Sequence, residues 1–109
     1  MNIVSFNEFR NVELRIGKVL SAERIEHSEK LIKLSVAVGE ENPRQIIAGI
    51  GKAYGPEELL GRIVVVVVNL EPKQLMGHES QGMLLAASED GIPVLLRADR
   101  DVLPGTAIH

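Results

Sequence analysis

Residues 63–87 read IVVVVVNLEPKQLMGHESQGMLLAA, which is two apolar runs separated by a polar stretch. The first run, residues 63–68, is six β-branched residues, which is typical of a strand buried on both faces. The second run, residues 83–87, predicts another strand. The polar stretch between them is therefore predicted to be a loop that the core holds at both ends. Loops on rigid supports often carry function, so we expect a recognition site here.

The sequence ahead of this stretch predicts a three-stranded meander. Its first strand begins at Val12 and continues past Gly17 to Val19, and Gly17 would suit a bulge that bends the chain. Residues 32–38 alternate apolar side chains with polar or small ones, which is the pattern of a half-buried strand. After a turn, residues 44–50 predict a third strand that pairs antiparallel with the second.

Two short helices and one more strand complete the inventory. Residues 5–8 read Ser-Phe-Asn-Glu, a capping box that predicts a helix near residues 6–10. Residues 56–61 begin with proline and end with glycine, which predicts one or two helical turns. A final strand is predicted at residues 92–96, following a turn at residues 89–91.

Five or six short strands with one or two short helices predict an all-β fold. For a chain of about a hundred residues, a small closed barrel accommodates this inventory better than a sandwich does. A helix between the third and fourth strands is the arrangement of the five-stranded Greek-key barrels of the oligonucleotide/oligosaccharide-binding (OB) class. We therefore expect an OB barrel that occupies residues 1–109 as a single domain.

Composition limits the compartment and the chemistry. The chain is 45% hydrophobic and 25% charged, and no apolar run approaches the roughly 18 residues that a membrane span needs. The N-terminus lacks the basic and apolar regions of a secretory signal, so we expect a cytoplasmic protein without a membrane partner. The absence of cysteine excludes disulfides, thiolate metal sites and thiol nucleophiles.

Charge and aromatic content restrict the ways in which the chain could bind nucleic acid. The net charge is −3, which argues against coating nucleic acid through bulk electrostatics. Phe6, Phe9 and Tyr54 are the only aromatic residues, whereas proteins that bind single strands stack successive bases on several rings. Any nucleic-acid binding must therefore be local.

Six segments of the chain resemble one family and occur in the same order. They are Leu14–Val19 (LRIGKV), Lys30-Leu31, Arg44–Ile50 (RQIIAGI), Tyr54–Leu59 (YGPEEL), Asn69–Lys73 (NLEPK) and Ser80–Ala86 (SQGMLLA). In these segments the chain is similar to the tRNA-binding domain that is appended to the C-terminus of many methionyl-tRNA synthetases and that also occurs as a free-standing dimeric protein. The resemblance extends from about Phe9 to the C-terminus.

The resemblance implies an OB barrel that binds tRNA by its folded shape, without chemistry or a cofactor of its own. The partners it implies are tRNA, a second copy of the chain in a homodimer, and the catalytic chain of a methionyl-tRNA synthetase. Its lysines and arginine would contact phosphates, and its serine and glutamine would contact ribose or base edges. Carried over by matching positions, the RNA-facing residues are Lys30, Arg44, Lys73, Ser80, Gln81 and Met83.

Most of these residues also have a structural interpretation. Lys30 and Arg44 fit solvated surface charges, which is the commoner role of an isolated basic residue. Ser80 fits the cap of a turn, with its hydroxyl bonded to a nearby backbone N–H. Met83 begins an apolar strand, where methionine is more often part of the core than a ligand contact. For Lys73, which lies inside the constrained polar stretch, we favour RNA contact.

The sequence gives little support for an enzyme or a metal site. Residues 78–80 place an imidazole, a carboxylate and a hydroxyl next to each other, but sequence adjacency does not make a catalytic triad. No oxyanion hole or deep pocket is indicated. The histidines at positions 27, 78 and 109 lack the spacing of metal ligands, so we predict no metal site.

The alternative function is a protein-interaction module of the same fold, either a peptide-binding chaperone or a scaffold. Such a role needs exposed apolar surface. Residues 64–68, 84–85 and 94–96 are denser in apolar side chains than the inner face of one small barrel would bury, which predicts a dimer interface. The Ser-Gln-Gly-Met segment resembles the tRNA-binding members rather than the chaperone-like ones, so RNA binding ranks first.

Overall fold

The computed structural model describes residues 1–109 and contains two short helices and ten strands. The helices are α1 (Phe6–Arg10) and α2 (Pro56–Leu59). The strands are β1 (Leu14–Arg24), β2 (Ile32–Ala37), β3 (Arg44–Ala48), β4 (Ile63–Val67), β5 (Lys73–Leu75), β6 (His78–Ser80), β7 (Met83–Leu84), β8 (Ala86–Glu89), β9 (Ile92–Leu95) and β10 (Ala107–Ile108). Neither helix has the length and apolar character needed to cross a membrane.

One antiparallel sheet, in the order β3-β2-β1-β4-β7, curls into a nearly closed barrel, and β10 pairs with the start of β1. The curl arises in β1, because residues 14–18 pair with β4 whereas residues 18–24 pair with β2. The first three strands form the predicted meander. The prediction of an all-β barrel with short helices is confirmed.

The bulge in β1 lies further along the strand than predicted. The register between β1 and β2 shifts between Val19 and Ser21, whereas Gly17 pairs regularly with β4. Gly17 is instead required by packing, because a Cβ built there would lie 2.7 Å from Val36 Cγ1 and 2.9 Å from Val66 Cγ2. The prediction of a bulge at Gly17 was wrong because a strand glycine marks either a bend or a close approach, and the sequence does not distinguish them.

Aliphatic side chains fill the inside of the barrel. Twelve buried residues form one cluster, to which β2 contributes Ile32, Leu34 and Val36. Residues 64–68 are all 9% exposed or less, as their β-branched run predicts. These valines are buried within one chain and supply no surplus apolar surface, whereas Val94 and Leu96 of the same prediction are 46% and 43% exposed. The dimer interface therefore stays a prediction.

Both helices have the capping that the sequence predicts. In α1, the Glu8 N–H donates to Ser5 Oγ (3.0 Å) and the Ser5 N–H donates to Glu8 Oε1 (3.1 Å), which completes the capping box. α2 begins at Pro56, and Gly61 after it has a φ of +77°. None of the residues of α1 is buried, so this helix lies on the surface of the barrel.

Two hairpins accompany the barrel. β5 pairs with β6 inside the stretch that the sequence predicted only as a loop. The turn residues of this hairpin, Met76 and Gly77, have φ values of +48° and +82°. Methionine rarely adopts such a conformation, so a Met-Gly pair does not mark a hairpin turn as Asn-Gly or Asp-Gly does. β8 pairs with β9 around Asp90 and Gly91, which confirms the predicted turn. The predicted strand at residues 83–87 is divided in two, because β7 pairs with β4 and β8 with β9.

Candidate nucleic-acid interface

Residues 69–82, here called the 69–82 segment, contain the β5–β6 hairpin. The last residues of the segment lie along the outer edge of β3. The Gln81 N–H donates to the Gln45 carbonyl oxygen (2.7 Å), and the Gln45 N–H donates to Gln81 Oε1 (2.9 Å). Gln45 Nε2 also donates to the carbonyl oxygen of Glu79 (2.9 Å). Two glutamines thus join the segment to β3 through backbone and side-chain amides.

Ser80 continues this contact from the buried side of the segment. It is 5% exposed, and its Oγ accepts a hydrogen bond from the Ile47 N–H (2.9 Å). The same hydroxyl donates to the carbonyl oxygen of Gly82 (3.0 Å), so it has no proton left for an outside partner. Ser80 thus supports the segment by bonding to a strand 33 residues away in the sequence, rather than by capping a local turn as its structural interpretation describes.

Gly82 lets the segment lie close against the barrel. A Cβ built at this position would lie 3.1 Å from the Val67 carbonyl oxygen and 3.3 Å from Val66 Cγ1. Both distances are shorter than ordinary van der Waals contact, and the nearer one is to a backbone atom. A side chain at this position would therefore force the barrel or the segment to shift by a few tenths of an ångström.

Arg44 joins the first residue of β3 to the turn before it and to the 69–82 segment. Its Nε and Nη2 donate to Oε1 and Oε2 of Glu40, each at 2.8 Å, in a bidentate ion pair. Its Nη1 donates to the carbonyl oxygens of Val68 and Gln81, the latter at 3.0 Å. The side chain is only 23% exposed, so Arg44 is not the solvated charge that its structural interpretation describes.

The ion pair shifts the pKa of both partners. The hydrogen bonds from Arg44 lower the pKa of the Glu40 carboxyl below its ordinary value, and burial opposes this shift only in part. The hydrogen bonds to Glu40 raise the pKa of Arg44. Both groups are therefore charged at neutral pH, and together they present almost no net charge to a ligand.

Lys73 and Met83 are exposed, and both line an apolar groove. Lys73 is exposed and forms no ion pair, and Met83 is 47% exposed, so the interpretation of Met83 as core is wrong. The groove has a volume of about 470 Å³, and its apolar lining includes Ile47, Leu70 and Leu75. A cation beside an exposed apolar surface can bind a phosphate and an attached sugar or base together.

Lys30 lies apart from the groove, in the turn between β1 and β2. It is exposed, and its aliphatic stem packs over Gly49, where a Cβ would lie 3.0 Å from the lysine Cε. Arg24 supports this turn by donating to the carbonyl oxygens of Glu29 (3.3 Å) and Gly51 (2.9 Å). The structure thus brings five of the six predicted residues together around β3 and places Lys30 beyond its C-terminal end.

Sequence reasoning did not identify Glu40 or Gln45 as part of this site. Glu40 stands four residues before Arg44, and that spacing of opposite charges was an available signal. Gln45 contacts residues 34 and 36 positions away, so nothing near it in the sequence marks its role.

Comparison with known proteins identifies the family of the chain. A family model of the tRNA binding domain matches residues 14–107. The chain belongs to the tRNA-binding domain family. This tRNA-binding domain is 54% identical over 107 residues to a methionine–tRNA ligase of Methanothrix thermoacetophila. The match covers 98% of the domain and 16% of the ligase, so the chain spans about a sixth of that relative's length.

Two solved structures resemble the domain over nearly its whole length. A MetRS related protein from Pyrococcus horikoshii superimposes with a TM-score of 0.93, at 40% identity and with full coverage of both chains. A chaperone, CsaA from Bacillus anthracis, superimposes with a TM-score of 0.90 at 36% identity, covering 99% of the domain and 100% of that chain. The predicted family is therefore confirmed by both sequence and structure.

Proposed function

We propose that this tRNA-binding domain is a non-catalytic, cytoplasmic module that binds folded tRNA, either within or beside a methionyl-tRNA synthetase. Its family and its similarity to methionine–tRNA ligases support the proposal. The observation that carries it is the outward presentation of Lys73, on the 69–82 segment anchored to β3, together with the exposed Met83 of β7. The strand order fits an OB barrel, a fold that binds oligonucleotides over its second and third strands and adjoining loops.

The acidic net charge and the three aromatic residues favour local recognition of a folded RNA. They disfavour binding through overall charge and binding by stacking the bases of a single strand. Lys73 binds a phosphate, and Met83 with the apolar groove contacts a ribose or a base edge. Gln81 uses its Oε1 within the chain, whereas its Nε2 is free to donate to a 2′-hydroxyl. Lys30 supplies a second phosphate contact. Ser80 serves the site indirectly, by holding the segment against β3.

We also propose that the domain forms a homodimer through the exposed face around α1. Phe6, Phe9 and Val12 are 72%, 45% and 45% exposed, and with Ile108 they line a groove of about 330 Å³. Neighbouring apolar side chains that one chain leaves in water mark an interaction surface. A two-fold symmetric pair needs only one such surface, because it contacts its own copy.

A peptide-binding function is the second candidate, and the similarity to the chaperone CsaA favours it. The groove beside Met83 has an apolar lining that an aliphatic or aromatic side chain of a peptide could occupy. This function makes a different prediction, because it requires no preference for folded RNA. It ranks second because free Lys73 at the rim suits a phosphate.

The test is a titration of labelled intact tRNA with the domain at several salt concentrations, beside an unstructured RNA of equal length. Preference for tRNA, with a salt slope of about two to four phosphates, supports the proposal. Lys73→Ala is expected to weaken binding several-fold and to lower the salt slope by about one, because one phosphate contact is lost.

The matched control is Lys18→Ala, which removes an exposed lysine without an ion pair from β1 and changes the net charge equally. It should bind tRNA as the wild type does. Unchanged affinity in Lys73→Ala would remove Lys73 from the site. If the wild type binds neither RNA at low salt but binds an unfolded peptide, the second candidate takes first place.

A further inference from the structure

A single nitrogen of Arg44 connects the two ends of the 69–82 segment. Nη1 donates to the carbonyl oxygen of Val68, immediately before the segment, and to that of Gln81, next to its last residue. The β5–β6 hairpin and Lys73 lie between these two points. Because both ends bond to the same atom, their separation is fixed while Arg44 stays in place.

Glu40 determines where that atom lies. The guanidinium is planar, and its Nε and Nη2 are both held at 2.8 Å by the two oxygens of the Glu40 carboxylate. Fixing two corners of a rigid plane also fixes the third, which is Nη1. The backbone of Arg44 is held independently, because it pairs with Val36 in the β2–β3 ladder.

The same bonds make Arg44 a poor phosphate ligand. Four of its five N–H donors are already bonded within the chain, so a phosphate could accept only the one remaining Nη2 N–H unless it displaced Glu40. An acidic residue at the border of an RNA-binding surface repels phosphates, so Glu40 needs a different reason to be there. Holding Arg44 is such a reason.

We infer that Glu40 and Arg44 are positioning residues for RNA binding, which set the 69–82 segment so that Lys73 meets the RNA beside Met83 of β7. The inference rests on the proposed function, since it concerns the same surface. It assigns Arg44 a role other than the phosphate contact that the family resemblance implies. It also means that Glu40, although acidic, favours the binding of RNA, which is a polyanion.

Glu40→Gln separates a phosphate-contacting role of Arg44 from a positioning role, because the two roles predict opposite changes in tRNA affinity. If Arg44 contacted phosphates, removing the acid would free its charge, tighten tRNA binding and steepen the salt slope by about one. As a positioning pair, Glu40→Gln releases the guanidinium, since a glutamine offers only one acceptor oxygen. We expect roughly threefold to tenfold weaker tRNA binding with the salt slope of the wild type, because misplaced groups cost affinity without changing the number of phosphate contacts.

The matched control for charge is Glu89→Gln. Glu89 is exposed in β8, forms no ion pair or side-chain hydrogen bond, and pairs with Ile92 of β9 rather than with the 69–82 segment. This variant removes the same charge and should bind tRNA as tightly as the wild type or more tightly. An equal loss in both variants would overturn the inference, because the loss would then not depend on the Arg44 pair.

Arg44→Lys provides a second test, because it keeps the charge and loses the planar fork. A positioning role predicts weaker tRNA binding at an unchanged salt slope, whereas wild-type affinity in this variant would overturn the inference. Tighter or unchanged binding in Glu40→Gln would do the same.

Amide hydrogen exchange of Gln45 and Gln81, measured without RNA, reports the anchoring by itself. In Glu40→Gln and in Arg44→Lys, these two amides should exchange faster than in the wild type. Wild-type exchange rates in these variants would overturn the inference. Lys73→Ala keeps the anchor, so its exchange should be that of the wild type. If Lys73→Ala leaves tRNA affinity unchanged while Glu40→Gln speeds exchange, the proposed function fails and the anchoring by Glu40 does not.

Discussion

Two basic residues close to each other in this fold are in opposite situations. Arg44 is 23% exposed and bonded to a carboxylate and two carbonyl oxygens, whereas Lys73 is exposed and has no partner within the chain. A cation that is already bonded and partly desolvated contributes geometry, and a free one contributes charge to a ligand. The residue type alone did not distinguish these roles, and the contacts do.

Acid is expected to release the Arg44 pair. The hydrogen bonds from Arg44, with a smaller contribution from Arg15, keep the pKa of folded Glu40 below the 4.5 that is usual for this group. The ionised carboxylate therefore stabilises the folded state above that pH, and this contribution is lost as the pH falls through the lowered pKa. Since the pair is partly exposed, the effect should be about 1 kcal/mol or less.

The measurement is the free energy of unfolding in urea, for the wild type and for Glu40→Gln, from neutral pH down to about pH 3. The wild type should lose more stability on acidification, so the two curves should converge at low pH. Curves that remain parallel would show that the ionisation of Glu40 is not linked to folding.

At the scale of elements, the outer edge of β3 is satisfied in an unusual way. A neighbouring strand would normally accept hydrogen bonds from the edge N–H groups through its backbone. Here the N–H of Gln45 bonds to a side-chain amide and that of Ile47 to a hydroxyl. The barrel is thus completed by side chains of the 69–82 segment between β3 and β7, so the segment proposed to contact RNA also closes the fold.

Ser80→Ala is expected to destabilise the fold by about 1–3 kcal/mol, because the Ile47 N–H would lose its acceptor where Ser80 had excluded water. Urea denaturation measures the change. Ser88→Ala in β8 is the control, since Ser88 is exposed and forms no hydrogen bond through its side chain. Equal stabilities of the two variants would contradict the role of Ser80 in closing the barrel.

The elements that the sequence predicted are those with local causes. The alternation of β2, the capping box of α1 and the Asp-Gly turn of the last hairpin each depend on residues a few positions apart. The bulge after Val19 and the turn at Met76 depend on how distant strands pack, so they were missed or misplaced. The site was also predicted only in part. The sequence identified candidate residues, but the bonds between Gln45 and Gln81 depend on the fold and could not be predicted from it.

At the scale of the whole molecule, the chain presents two surfaces of different chemistry. One combines Lys73, Met83 and an apolar groove, and the other is the apolar face around α1. A net charge of −3 keeps general attraction to RNA weak, so binding depends on a few placed groups. Pairing through the α1 face would place two recognition surfaces on one particle and allow both to contact the same folded RNA.

Phe9→Glu is expected to convert a homodimer into a monomer, because it puts a charge into the apolar α1 face. Sedimentation equilibrium over a range of protein concentrations measures the mass. Leu103→Glu is the control, since Leu103 is 80% exposed and does not line that groove. A wild type that remains monomeric at the highest concentration would contradict the homodimer.

The closure of β3 by side chains has a consequence for how the protein behaves when damaged. A bare strand edge is a template on which strands of other molecules can add, and such addition leads to aggregation. Ser80 and Gln81 occupy the two N–H groups that an incoming strand would need. Substitutions that remove these side chains should therefore cause folded barrels to polymerise before the buried valine core unfolds.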